Sequence, residues 1–148
     1  MDGSSPSASN QWIAGIARIG ATVAKNILIG DDNSQFRSTL RNFLETQDEF
    51  TVVGEASSGK ETIRKARELK PDLVVIDLAM SEMNGIQAAR ELRRMSPSTP
   101  LILFTNVESS RLADIAIANG VNAVVSKSNP TELLDQMYSL LEPPDAAL

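Results

Sequence analysis

Five short apolar runs recur along this chain, and a stretch with helical spacing follows each of them. The runs are NILIG (26–30), FTVVGEA (50–56), LVVID (73–77), LILFT (101–105) and NAVVSK (122–127). A strand with one wet face alternates apolar and polar residues. Most of these runs are nearly continuous, which calls for burial on both faces, as in a parallel sheet covered by crossover helices. Right-handed crossovers narrow the choice to a doubly wound, five-stranded parallel α/β sandwich.

The intervening segments carry helix signals. Ser34 is the expected N-cap of the first, with Phe36, Leu40, Phe43 and Leu44 on one face. Ser57 or Ser58 opens the second, with Ile63, Ala66 and Leu69 on one face and Pro71 past its end. NGIQAARELRRM forms the third, ended by SPSTP. ESSRLADIAIANG forms the fourth, with Gly120 as its stop. The fifth has Asn129 as N-cap and Pro130 at its first position, with Leu133, Leu134, Met137 and Leu141 on one face.

In such a sheet a ligand binds beyond the carboxyl ends of the strands. Those ends carry Asp31 and Asp32, then Asp77, Thr105 and Lys127. An acidic pair before a helix is often only a favourable dipole contact, and a strand-end Thr or a lone Lys is unremarkable. Their conjunction at four of five strand ends is specific. Three carboxylates within a few ångströms repel by roughly 4 kcal/mol per pair at an effective dielectric of 20. Lys127 offsets one charge. A divalent cation offsets more, and an all-oxygen donor set selects Mg²⁺ or a relative. A cation there attracts phosphoryl oxygens, Thr105 and Lys127 can hold the others, and Asp77 can act as a nucleophile to form an aspartyl phosphate.

Composition removes competitors. The chain has no histidine and no cysteine, so a histidine-dependent triad, thiolate chemistry and most transition-metal sites are excluded. A net charge of −5 without a basic stripe argues against direct nucleic-acid binding. No apolar run nears the roughly 20 residues of a membrane span. The N-terminus lacks the basic region of a signal peptide, so a cytoplasmic location is expected.

LIGDDN, VVIDLAMSEMNG, ILFT and VVSK resemble the receiver domain of two-component response regulators, the CheY-like family, over residues 25–142. The resemblance implies a flavodoxin-like (βα)₅ fold. It also implies phosphoryl transfer from a sensor histidine kinase or histidine phosphotransfer protein, and a switched face that binds a downstream protein or forms a phosphorylation-dependent homodimer. Asp77 matches the phosphoacceptor. Asp31, Asp32, Asp77 and the main-chain carbonyl of Ala79 match the Mg²⁺ ligands, and Thr105 and Lys127 match the switch hydroxyl and the site lysine. Gly85 matches the glycine that opens the third helix. Such a domain is not an enzyme beyond Mg²⁺-dependent self-phosphorylation and self-dephosphorylation.

The chain departs from the family pattern at Ser81 and Ser128, where proline is common. It departs also at Asn106, where a small residue is usual, and at Val124, where an aromatic switch residue is usual. Val124 is too short to swing between surface and interior, so a switch running through Thr105 by backbone shifts is expected. Ala79 and Val107 flank the expected line of water attack. Neither can orient water, so slow hydrolysis of the phosphoryl group is expected. Three alternatives lack their signatures: a phosphatase wants Asp-x-Asp at its nucleophile, a flavin binder a hydroxyl-rich first loop, and a dinucleotide site G-x-G-x-x-G. A receiver-like interaction module that never takes phosphate is the remaining alternative.

Residues 1–24 read as a flexible extension. Within it Trp12, Ile13, Ile16, Ile19 and Val23 lie at roughly helical spacing, but Gly15 and Gly20 each weaken a helix by about 1 kcal/mol, so a docking helix is the less favoured reading. Residues 143–148 read as a tail. A stand-alone receiver is expected, with a fragment of a longer regulator as the alternative.

Overall fold

A computed structural model describes residues 23–142. The extension expected over 1–24 lies outside them except for its last two residues, and the tail expected at 143–148 lies wholly outside. Among the described residues, five strands alternate with five helices. They run β1 (Lys25–Gly30), α1 (Ser34–Leu44), β2 (Phe50–Ala56), α2 (Gly59–Leu69) and β3 (Leu73–Ile76). Then come α3 (Gly85–Met95), β4 (Leu101–Thr105), α4 (Ser110–Ala118), β5 (Ala123–Ser126) and α5 (Pro130–Leu141). The strands form one parallel sheet in the order β2-β1-β3-β4-β5, so the order reverses between β1 and β3.

The continuous apolar runs are buried on both faces, as their composition requires. Ile27, Ile29, Leu73, Val75, Ile102 and Phe104 point to one side and pack with Leu40 and Leu44 of α1 and Leu133 and Met137 of α5. The intervening Leu28, Val74, Ile76, Leu101 and Leu103 point to the other, against Ala88, Ala89 and Leu92 of α3 and Ala116 of α4. Each large side chain so buried contributes about 1.5–3 kcal/mol.

Every helix begins on a Ser or Asn whose side chain accepts an orphan backbone N–H. The cap of α1 is Asn33, not Ser34: its Oδ1 accepts from the Phe36 N–H at 2.9 Å, and Ser34 is the first helical residue. Ser58 caps α2, and Glu61 reaches back to the Ser57 N–H and hydroxyl, which lowers the Glu61 pKa to about 2. The expected stops hold. Lys70 turns left-handed (φ 47°) before Pro71, which disfavours a helical residue ahead of it, and Gly120 takes φ 103° after α4.

Arg93 fastens the opposite end of the sheet. Its guanidinium donates to the carbonyls of Pro97, Thr99 and Gly120 and to the side-chain oxygen of Asn122, at 2.7–2.9 Å. Asn122 in turn accepts from the Leu101 N–H, so one cation ties α3, β4 and the turn before β5 together.

Gly85 fixes the loop beyond β3. Its N–H donates to the Leu78 carbonyl at 2.8 Å, and a Cβ built there would run into the Asp77 carbonyl. Alanine normally favours a helix over glycine. Gly85→Ala should instead destabilise the protein by about 1–3 kcal/mol, through overpacking against backbone, read as a lower urea midpoint at unchanged slope.

Candidate functional site

The reversal between β1 and β3 sets two strand ends side by side. Gly30 pairs with Ile76, and the next residues are Asp31 and Asp77. The Asp77 N–H donates to the Gly30 carbonyl at 2.8 Å, and the Asp31 N–H to the Ala56 carbonyl at 2.9 Å, so both carboxylates issue from strand-anchored backbone. Both are buried, while Asp32 is exposed at the rim. One oxygen from each of Asp31, Asp32 and Asp77 lies within 4.8 Å of the others.

Lys127, one residue past β5, reaches across the ends of β4 and β3 to these carboxylates. Its Nζ lies 2.7 Å from Asp31 Oδ2 and 3.3 Å from Asp77 Oδ2. It also sits 4.2 Å from the centroid of the Phe36 ring, and Phe36 leans on Phe104 at 5.9 Å between centroids. The ammonium thus has anions on one side and an aromatic face on the other, a combination that compensates a buried cation.

The other two carboxylate oxygens are held by backbone. Asp31 Oδ1 accepts from the Asn33 N–H at 2.9 Å and Asp77 Oδ1 from the Leu78 N–H at 2.8 Å. Burial pushes the Asp77 pKa up, the neighbouring Asp31 charge adds to this, and Lys127 opposes both. Asp32 makes no ion pair with any described residue. The donor set is all oxygen and carries more negative charge than Lys127 cancels. It therefore suits a hard cation.

Thr105 is buried at the end of β4, and its Oγ1 accepts from the Val107 N–H at 3.2 Å. The Lys127 N–H donates to the Thr105 carbonyl at 2.9 Å, so Thr105 and Lys127 are adjacent across the sheet. Asn106 and Val107 are exposed beside them, Val107 by 47%. Ala79 is exposed two residues past Asp77, and its carbonyl accepts no hydrogen bond from any described residue. Val124 is half-buried against the α3/α4 side of the sheet.

Four participants were not singled out as site residues. Phe36 reads as an ordinary core position, and its contact with Lys127 depends on how α1 leaves β1. Asn33 doubles as helix cap and donor to Asp31. Glu108 accepts from the Ser126 hydroxyl at 2.8 Å, and Ser126 lies 2.7 Å from the Ser128 hydroxyl, linking the loop after β4 to the end of β5. The only sequence signal for this link was the density of hydroxyls around Lys127.

A doubly wound sheet with a carboxylate cluster and one lysine at its switch point defines an α/β domain whose strand-end edge could hold a metal ion. The model of the response regulator receiver domain matches residues 27–139, and the chain belongs to that family, the receiver domains of two-component systems. Among solved structures, it is 31% identical to a LuxR-family response regulator from Aurantimonas, covering 84% of this chain and 94% of that one at a TM-score of 0.77. It is 26% identical to the response regulator domain of Thermotoga maritima CheB, covering 82% and 98% at 0.76. A Borrelia burgdorferi CheY, seen in a complex with CheX, shares the fold at 19% identity and a TM-score of 0.78, over 84% and 95%. No curated protein matches the chain.

The raised Asp77 pKa has a direct consequence for stability. The folded state holds the Asp77 proton more tightly than the unfolded chain does. Ionising Asp77 therefore costs stability as pH rises from the ordinary value near 3.9 through the raised one. In metal-free buffer Asp77→Asn should melt higher than the parent at pH 7, and the gain should shrink toward pH 4. Thermal melts across that range in the presence of EDTA check it.

Proposed function

We propose that this receiver accepts a phosphoryl group on Asp77 from a sensor histidine kinase or a histidine phosphotransfer protein, and that the phosphorylated form presents an altered surface to a downstream protein. The observation that carries this reading is the Lys127 ammonium bridging Asp31 and Asp77, with Asp32 completing an oxygen cluster. Asp31, Asp32, Asp77 and the Ala79 carbonyl would hold Mg²⁺, which supplies charge neutralisation for the transferring phosphoryl oxygens.

A carboxylate oxygen of Asp77 attacks phosphorus, and the bond to the donor nitrogen breaks with its electron pair leaving on the imidazole. Lys127 is already placed to turn from Asp77 Oδ2 to a phosphoryl oxygen. Thr105 can donate its O–H to a phosphoryl oxygen while its Oγ1 still accepts from the Val107 N–H, so a shift of Thr105 drags the loop that Glu108 ties to β5. That coupling needs no aromatic side chain and suits a half-buried Val124. Helix α4 exposes Ile115 and Ile117 beside this loop, by 46% and 55%, and these are the apolar groups through which a partner would sense the change. The domain acts on no outside substrate.

Phosphorylation with acetyl phosphate and Mg²⁺ should add a single phosphoryl group to the parent and none to Asp77→Asn, read by intact mass. A parent that takes no phosphate would favour the interaction-module reading. Ala79 and Val107, two residues past Asp77 and Thr105, are exposed and lack any polar side-chain atom. With the donor removed and Mg²⁺ present, Ala79→Asn and Val107→Glu should therefore lose phosphate faster than the parent by up to about a hundredfold. Equal decay rates would count against that role.

A further inference from the structure

A second concave surface lies at the other end of the sheet, a full strand length from Asp77, roughly 20 Å by strand geometry. It is a groove of about 520 Å³ lined by Val23, Lys25, Glu49, Phe50, Tyr138 and Leu141, with Glu142 at its edge. Its lining includes an aromatic pair: the Phe50 and Tyr138 ring centroids lie 5.0 Å apart with the planes tilted by 34°, and the Tyr138 hydroxyl is pinned by Gln47 and Glu49 at 2.9 and 3.0 Å. That volume falls within the roughly 300–1,000 Å³ of sites that enclose sizeable ligands. The phosphoryl chemistry makes no use of it.

We propose that this groove is the docking site of the chain's own residues 12–22. Three observations converge on that occupant. Val23, 82% exposed and the first described residue, lines the groove itself, so the preceding residues leave from its wall. The preceding segment also carries the apolar series Trp12, Ile13, Ile16 and Ile19, whose spacing puts all four on one stripe of a helix. Packing that stripe on Phe50, Tyr138 and Leu141 would cover apolar groups on both partners. The charges match as well. Arg18 is the only charged residue between 10 and 22, and the rim carries Glu49 and Glu142 against Lys25.

Reach is not a constraint. Trp12 and Val23 are eleven positions apart, about 16 Å as a helix and under about 40 Å extended. Attachment at the wall gives the segment an effective concentration in the millimolar range or above, which offsets the helix-weakening Gly15 and Gly20. Residues 143–148, PPDAAL, follow Glu142 but offer less apolar surface, and their one charged side chain, Asp145, has the same sign as Glu49 and Glu142.

Trp12 is the chain's only tryptophan and reports on this contact directly. In the full chain its emission should be blue-shifted and poorly quenched by acrylamide, independently of protein concentration and of deletion of residues 143–148. Ile16→Asp, which alters only the segment, and Leu141→Asp, which alters the groove, should each shift the emission to the red and raise the quenching constant several-fold. Should Leu141→Asp fail to fold by circular dichroism, Tyr138→Ala takes its place. A solvent-exposed Trp12 in the parent, or protection that survives the groove variant, would overturn the proposal. Protection lost on dilution would overturn it too, by assigning the groove to a second copy, and protection lost with residues 143–148 would overturn it in favour of the tail.

Discussion

One ammonium holds the site together. Lys127 lies between Asp31 and Asp77, whose carboxylates would otherwise face each other in a buried setting. Two such charges repel by roughly 4 kcal/mol at an effective dielectric of 20, and each buried ion adds a desolvation cost of several kcal/mol. Three backbone segments must therefore be held in register, because the three side chains come from the ends of β1, β3 and β5. The parallel ladder provides this, with Gly30 opposite Ile76 and Thr105 opposite Ser126. Phe36 supplies the ring face beside the ammonium, and Gly85 lets α3 start against the Asp77 carbonyl.

The cluster is not at rest in electrostatic terms. Asp77 is pushed toward its protonated form by burial and by Asp31, and Lys127 only partly opposes this. A site in this condition gains from any group that brings positive charge. That is the physical link between a carboxylate destabilised by burial and a neighbouring charge and an oxygen cluster that could hold a cation. The rest of the domain compensates in ordinary ways, through two apolar layers, a Ser or Asn cap on each described helix and the carbonyl-bound guanidinium of Arg93.

Much of this was legible in the chain. Runs such as LVVID and LILFT announce strands buried on both faces, because no other common setting tolerates unbroken apolar residues in short segments. Asn129-Pro130 and the glycine at 120 mark helix ends by local chemistry alone. The carboxylates, hydroxyl and lysine gathered at the sheet edge were legible for the same reason: in a doubly wound sheet the strand ends share one edge, so their positions follow once the strands are placed. What escaped were choices between near-equivalent neighbours and contacts between distant segments. Asn33 caps α1 in place of Ser34, and its backbone N–H donates to Asp31. Arg93 reads as one more charge on a solvated helix face, yet it binds carbonyls across the turn before β5.

The amino-acid sequence by itself determined the element order, the parallel sheet and the identity of the carboxylates, hydroxyl and lysine at its edge. Those follow from periodicity and residue type, which act over a few residues. Tertiary structure alone decided which carboxylate oxygens Lys127 touches, that Phe36 lies beside it, that the Thr105 hydroxyl is engaged by Val107, and that Val23, Phe50, Tyr138 and Leu141 enclose a groove. Each of these joins residues far apart in the chain or depends on a rotamer set by packing, and no local pattern encodes a distance across a sheet.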